Sequence, residues 1–400
     1  MTSVTVEAYA TVECSGLSVA DAEALAATRA VSVTRGWDGA SWMLTAGAEV
    51  GVLSVNDVTV RIRPRIPIAR MIFMLGYAAN PKVWRDDPAP LDDQDELWPA
   101  MAHVFARAAE RSLEQGLLQG YRTEESAQLV LRGRLREVDQ LRRHAGLPVP
   151  LELRFDEYDV DIPENQLLRA ATERLLRMSH VHPVAMRRLR HLLARLGEAR
   201  RLVPGEPLPE LRATRLNARY QPALSLARMI LRARSVDVLH AGTRASGFLI
   251  NMNTLFEEFV CAALTEALAP YGGRCVSQDR RHALDDFRTV RLRPDLVRYG
   301  KAGEPLSVLD AKYKQETPSG FPHVDLYQLL AYCTALKLNS GHLVYAEGHQ
   351  QTTTVRIANA DVTITRHALD LTSVPTLLLQ RVAAIAKHVA VGPSSAAASP

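Results

Sequence analysis

Residues 306–314 read LSVLDAKYK, a short apolar run with the length and composition of a buried strand. Side chains alternate faces along a strand, so Val308, Asp310 and Lys312 share one face and Leu309, Ala311 and Tyr313 the other. A buried strand gives an acid and a lysine to one face only where the pair serves a purpose. Just upstream, TVRLRPDLVRYG (289–300) reads as a second strand, and GKAGEP (300–305) as the turn between them. A hairpin centred near Ala302–Gly303 brings Asp295 roughly opposite Asp310. Two such carboxylates repel unless a cation lies between them. Carboxylates, backbone carbonyls and water are the ligands magnesium prefers. Bound Mg²⁺ can activate water and neutralise charge on a scissile phosphate, and a nearby lysine can orient that water or stabilise the transition state.

Two helices flank these strands. In NTLFEEFVCAALTEAL (253–268), Phe256, Phe259, Val260, Ala263, Leu264 and Ala267 form one apolar arc. Glu257 falls at the edge of that arc, within reach of the sheet border, while Glu258 faces water. Glu257 has a competing role, because Thr254-Leu255-Phe256-Glu257 also reads as a capping box. In DLYQLLAYCTALKL (325–338), Gln328 and Tyr332 are one turn apart on a face away from Leu326, Leu329, Leu330 and Cys333. The pair is either a polar outer face or a lining of the site that meets the DNA backbone. GHLVYAEG (341–348) follows as a further strand.

Upstream, SVTVEAYATVEC (3–14) alternates, SVADAEALAATRA (18–30) has helical spacing behind a Ser18 cap, and VGVLSVNDVTVRIRPRI (50–66) turns at Asn56-Asp57. Residues 1–66 therefore read as a β-rich N-terminal module. Residues 67–240 read as mostly helical, with a break at Gly133, a strand and acidic loop before a helix starting near Pro163, and helices over 184–200 and 215–240. Residues 241–390 carry the acid–lysine strands, and 391–400 form a disordered tail. The fold class is α/β: a C-terminal mixed sheet flanked by helices, preceded by the β-rich module and a largely helical middle region.

Composition narrows the function. Four cysteines without a close pair exclude a disulfide framework or zinc knuckle, and His180/His182 is a helix-end feature rather than a metal site. No run of 18 apolar residues occurs, so nothing spans a membrane, and the N-terminus lacks signal-peptide order. A cytoplasmic location is expected. From Arg174 to Arg234 there are 14 Arg against three Glu, a stretch suited to phosphate contact or to a solvated helix surface.

Pro294-Asp295 followed by Asp310-Ala311-Lys312 resembles the PD-(D/E)xK nuclease signature, and Gln328-x-x-x-Tyr332 resembles the motif of its RecB-like branch. The order NTLFEEFV, RPDLVRY, VLDAKYK, LYQLLAYC is similar to the McrC family, the nuclease subunits of modification-dependent McrBC restriction systems. IPIARMIFMLGYA, LRGRLREVDQLRR and FDEYDVDIPENQLLRAA extend the resemblance over about 62–350. It implies that Asp295 and Asp310 bind metal (Mg²⁺, with Mn²⁺ as an alternative), that Ala311 offers its backbone carbonyl, that Lys312 assists the water and that Glu257 takes the helix-acid position. It also implies a partner, the McrB-type AAA+ GTPase that forms a hexameric ring, and double-stranded modified DNA of 5-methylcytosine type as substrate. No GxxxxGK[ST] element is present here, consistent with a nuclease that needs a separate motor. Docking would fall in the N-terminal half, with Arg132 and Arg134 as candidate contacts. The alternatives are a catalytically quiet assembly subunit that activates a partner NTPase, and a nonspecific DNA-binding protein using the Arg-rich stretch.

Overall fold

The alternating stretch at 50–66 folds as the expected hairpin. Glu49–Val55 and Val58–Arg63 pair antiparallel with Val55 opposite Val58, and Asn56 takes the left-handed backbone (φ 50) that so tight a turn requires. Thr2–Glu7 pairs in parallel beside Val58–Arg63. Ser18 caps the helix Val19–Ala27 by accepting from the Asp21 N–H. The computed structural model describes residues 2–81, 84, 97–145, 147–178, 182–203, 206–211, 214–235, 238–240, 243–313, 323–346 and 352–391. The tail 392–400 and His180 lie outside them. His182 is the N-cap of the helix Pro183–Arg195.

The hairpin's other edge is covered by a strand the sequence reading did not contain. Thr243–Asn251 pairs antiparallel with Glu49–Val55, from Ala245 opposite Val55 to Asn251 opposite Glu49. This pairing corrects the expected three-part division at 66 and 240. The chain forms two compact units, Met1–Leu97 with Ala233–Pro400, and Trp98–Arg232. The hairpin edge carries unpaired backbone groups, and their partner comes from the far half of the chain. Accordingly, the helix expected over 215–240 is shorter. It spans Gln221–Arg232 and gives way to the strands Arg234–Ser235 and Val238–His240.

In the second unit Gly120–Gln128 and Leu151–Asp159 form a long antiparallel ribbon edged by Arg134–Leu135. The break at Gly133 is steric: its φ is +75, and a Cβ there would meet the Arg154 carbonyl oxygen at 2.4 Å. Much of the Arg-rich stretch is used internally. Arg174, Arg195, Arg219 and Arg228 donate to main-chain carbonyls, and Arg188 and Arg201 pair with Glu110 and Glu173. Arg132 likewise lies over the Phe155 ring and pairs with Glu157.

The first unit also holds a mixed sheet, in the order Arg274–Ser277, Leu296–Tyr299, Pro305–Lys312, Ser340–Tyr345, Thr363–Ala368, Thr353–Arg356. Its first three strands are antiparallel, and Pro305–Lys312, Ser340–Tyr345 and Thr363–Ala368 run parallel. The helix Met252–Leu268 packs on one face, where Phe256 meets Tyr313. The helix His323–Leu336 packs on the other, where Leu329, Tyr332 and Cys333 join Val297, Val308, Leu343 and Tyr345. Gly341 permits that approach, since a Cβ would lie 2.7 Å from the Cys333 sulfur. Among the described residues no helix is long and apolar enough to cross a membrane.

At the far side of this sheet His342 and His367 are fully buried, Nδ1 to Nε2 3.1 Å apart. Burial holds both well below the ordinary histidine value of 6.5, His342 near 4 and His367 near 3. The folded chain thus refuses protons that the unfolded chain accepts. This contribution to stability is complete above pH 6.5 and is lost as pH falls toward the folded values. A His342→Asn/His367→Asn variant is expected to lose roughly 2–5 °C less in thermal midpoint than the wild type between about pH 7 and pH 5. Equal losses in the two proteins would contradict this.

Candidate functional site

Asp295 immediately precedes the strand Leu296–Tyr299, and Asp310 lies within Pro305–Lys312. The register runs Val297 opposite Val308 and Leu296 opposite Leu309, so one further step sets Asp295 against Asp310, as the hairpin reading expects. Both are buried, at 7% and 2% exposure. The Lys312 ammonium lies 2.5 Å from Asp310 Oδ2. That oxygen is shielded from solvent, and the Lys312 ammonium is its close partner. The Asp295 carboxylate is held differently. Gln278 donates to Oδ1 and the Ala311 N–H donates to Oδ2, each at 2.8 Å. The contact Ala311 makes with the cluster is thus through its N–H.

Charge in this space is crowded. Burial first, then the Asp295 charge, raises the Asp310 carboxyl above the ordinary aspartate range, although Lys312 opposes both. Burial pulls the Lys312 ammonium down, but Asp310 outweighs it and the net shift is upward. A simple pair would lower its acid; here the acid rises because its burial beside a second carboxylate exceeds what one lysine returns. Asp325 adds to the field on Lys312. It is buried at the start of the helix His323–Leu336 and accepts from the Tyr345 hydroxyl at 3.3 Å.

Glu257 reaches the same space. The helix Met252–Leu268 is capped by Asn251, whose side chain accepts from the N–H groups of Asn253 and Thr254. The expected capping box at Thr254–Glu257 is therefore not the cap; the helix begins one turn earlier, which frees Glu257. It is half-buried, whereas Glu258 is exposed. Burial raises the Glu257 carboxyl, Asp295 raises it further, and Lys312 and Arg293 oppose.

Gln328 and Tyr332 do not form a polar outer face. Gln328 is exposed and donates to the Tyr332 hydroxyl at 2.9 Å. Tyr332 is buried, and its hydroxyl donates to the Arg293 carbonyl at 3.3 Å. Burial, then the Asp310 charge, pushes its phenol up to about 12.

Sequence reasoning missed Gln278, Asp325 and Arg293. Asp325 was detectable, since it lies three residues before Gln328 and seven before Tyr332, on one helix face. Gln278 was not, because its role depends on a left-handed backbone (φ 52) and on N–H donation to the Asp295 carbonyl at 2.9 Å. Among the described residues no three His, Cys, Asp or Glu side chains form a ready-made metal-binding group.

The fold and site define a mixed α/β protein with a buried acid–lysine cluster at one end of a mixed sheet. A family profile, the McrBC 5-methylcytosine restriction system component, matches residues 44–346, and the chain belongs to that family. Among solved structures, the half-complex of Thermococcus gammatolerans McrB AAA+ hexamers with bound McrC is similar at TM-score 0.57 and 17% identity. The match covers 97% of this chain and 100% of that one. The cryo-EM structure of the Thermococcus gammatolerans McrBC complex matches at TM-score 0.40 and 19% identity, over 68% and 90% of the two chains. No curated protein matches the chain.

The raised Asp310 value has a measurable sign. The unfolded chain ionises this group at the ordinary 3.8, and the folded site holds its proton to higher pH. Its contribution to stability is complete below 3.8 and is lost as pH rises through the folded value. In metal-free buffer, Asp310→Asn is expected to melt above the wild type at about pH 8, with the gap closing by about pH 4. A gap independent of pH would contradict the assignment.

Proposed function

We propose that this chain is an McrC-type nuclease subunit, cutting modified double-stranded DNA through a PD-(D/E)xK cluster of Asp295, Asp310 and Lys312 with Glu257. The observation that carries this reading is the meeting of two buried carboxylates and one ammonium at the end of a mixed sheet, with the half-buried Glu257 in the field of Asp295 and Lys312. The donor set suits a hard divalent cation. All the anionic ligands are oxygens, and their charge exceeds what Lys312 neutralises. Asp295, Asp310 and Glu257 would hold Mg²⁺ or Mn²⁺, with the Ala311 carbonyl as a further ligand. When bound, the ion supplies a polarised water and charge neutralisation at the phosphate.

The protein's own groups divide the remaining work. Lys312 is held as an ammonium by Asp310 and its neighbours, so it donates and does not act as a base. It can orient the attacking water or bind a phosphate oxygen as negative charge builds there. Gln278 and the Ala311 N–H fix both oxygens of Asp295 before substrate arrives. Water oxygen bonds to phosphorus, the bond from phosphorus to a sugar oxygen breaks, and a proton passes to that oxygen. Gln328 is the member of its pair that faces DNA, and Tyr332 anchors it and the Arg293 backbone.

The partner in this reading is an AAA+ GTPase of McrB type. Residues 98–232 supply the docking unit, since Leu129, Val130, Leu131, Val138, Leu141 and Leu147 are exposed there, an apolar surface suited to another protein. The chain lacks a phosphate-binding GxxxxGK[ST] loop of its own.

Reconstitution with the partner GTPase, 5-methylcytosine DNA, GTP and Mg²⁺ tests the proposal. Asp310→Ala is expected to reduce cleavage by at least about a hundredfold, with stimulation of GTP hydrolysis retained. Chelation of the metal is expected to stop cleavage by the wild type. Unchanged cleavage by Asp310→Ala would contradict the site. Stimulated GTP hydrolysis without cleavage by the wild type would favour a regulatory subunit.

A further inference from the structure

The segment between the strands Arg274–Ser277 and Leu296–Tyr299 is a folded arm rather than a slack loop. It starts at Gln278 and ends at Asp295, both in the candidate cluster. Asp279 anchors its base: it is 3% exposed, pairs with Arg281 at 2.6 Å and accepts from the Tyr299 hydroxyl at 2.7 Å. Ala283 bridges Arg291 in antiparallel fashion, and the Leu284 N–H donates to the Val290 carbonyl at 2.9 Å. The tip is closed by Asp285, whose carboxylate accepts from the N–H groups of Thr289 and Val290 at 3.0 and 2.7 Å and from the Thr289 hydroxyl at 2.7 Å.

What this arm displays is unusual for a structural connection. Arg280, Arg281, Arg288, Arg291 and Arg293 are all exposed along it. Of the three acids between Gln278 and Arg293, Asp279 is buried in its pair and Asp285 is tied into the tip, which leaves Asp286 outward. Arg280, Arg291 and Arg293 make no side-chain hydrogen bond or ion pair with another described residue. Phe287 stands at the tip with 91% of its surface exposed, and Leu284 and Val290 flank it. An aromatic held outward by an ordered turn, on a stem of exposed arginines, matches phosphates with charge and bases with an apolar face.

We infer that residues 278–293 form a DNA-gripping arm that sets the duplex against the candidate catalytic cluster. This rests on the nuclease reading above and deepens it by assigning the surface that positions the substrate. Arg293, next to Asp295, faces the phosphate nearest the cluster. Arg280 and Arg291 take flanking phosphates, and Phe287 packs into a groove. The eight steps of chain from Asp295 to Phe287 span at most about 29 Å, the length of roughly eight base-pair steps along one strand.

The test uses the full chain assembled with its partner GTPase and a short fluorescein-labelled duplex carrying 5-methylcytosine. Anisotropy is read across a salt series without GTP, and cleavage is read with GTP and Mg²⁺. The Arg280→Ala/Arg291→Ala variant is expected to bind about tenfold more weakly, with its salt slope reduced by about two. Phe287→Ala is expected to weaken binding without changing the slope. Assembly and thermal midpoint are expected to be unchanged in both. Unaltered affinity and slope would overturn the arm, as would loss of partner assembly with duplex binding intact, which would make it a protein contact. No duplex binding by the wild type would overturn it as well. Asp310→Ala separates the two proposals. If it binds normally and fails to cut, the cluster stands whatever the arm variants do. If it cuts like the wild type while the arm variants lose binding, the arm stands and the cluster falls.

Discussion

Asp310 is buried beside a second carboxylate, and the cost of that placement organises the first unit. One lysine on the same strand face, 2.5 Å away, returns only part of it. The remainder is met by geometry. A backbone N–H from Ala311 and a side-chain amide from Gln278 hold Asp295 in place, so the two acids face each other at a fixed register. A sheet can do this because hairpin register is discrete: a slip of one residue would turn Asp310 and Lys312 to the opposite face, into the apolar contact with Phe256. Retaining such a cluster is a loss for stability and a gain only for chemistry, which is the pattern expected of a functional site.

The support for this cluster comes from both ends of the chain. Thr243–Asn251 joins a sheet that also holds three strands from the first 63 residues and the short strands Arg234–Ser235 and Val238–His240, and Asn251 is both its last residue paired to Glu49–Val55 and the cap of the next helix. That helix carries Glu257 to the sheet's end and Cys261 to the Asp295 carbonyl, at 3.2 Å. Burial, then the nearby carboxylates Asp295 and Glu257, raises the Cys261 thiol, so it acts as a neutral donor and not as a nucleophile. The N-terminal strands therefore belong to the scaffold of the proposed active site.

What the sequence disclosed was set by local rules. Ser18 capped its helix, Asn56-Asp57 turned its hairpin, and alternation placed Asp310 with Lys312, because each depends on neighbours a few residues apart. Asp295 opposite Asp310 was legible for the same reason, through the turn at Gly303. Pairing of Thr243–Asn251 was not: its partner lies nearly two hundred residues away, and TRASGFLIN follows a helical pattern without a strong strand signal. TVRLRPDLVRYG (289–300) reads as one strand, yet only Leu296–Tyr299 enters the sheet, and the residues before it belong to the arm. The capping box at Glu257 was a valid local pattern overridden by Asn251. Roles for Gln278 and Asp325 required tertiary placement.

Mn²⁺ is the direct probe of a divalent-metal site shared by Asp295 and Asp310, because its free form is visible by electron paramagnetic resonance. Titration of the full chain at neutral pH is expected to show sequestered Mn²⁺ that Mg²⁺ displaces. Asp295→Asn and Asp310→Asn, each separately, are expected to release it while the fold melts cooperatively as before. Undiminished Mn²⁺ binding in both variants would rule out a metal site on these two carboxylates.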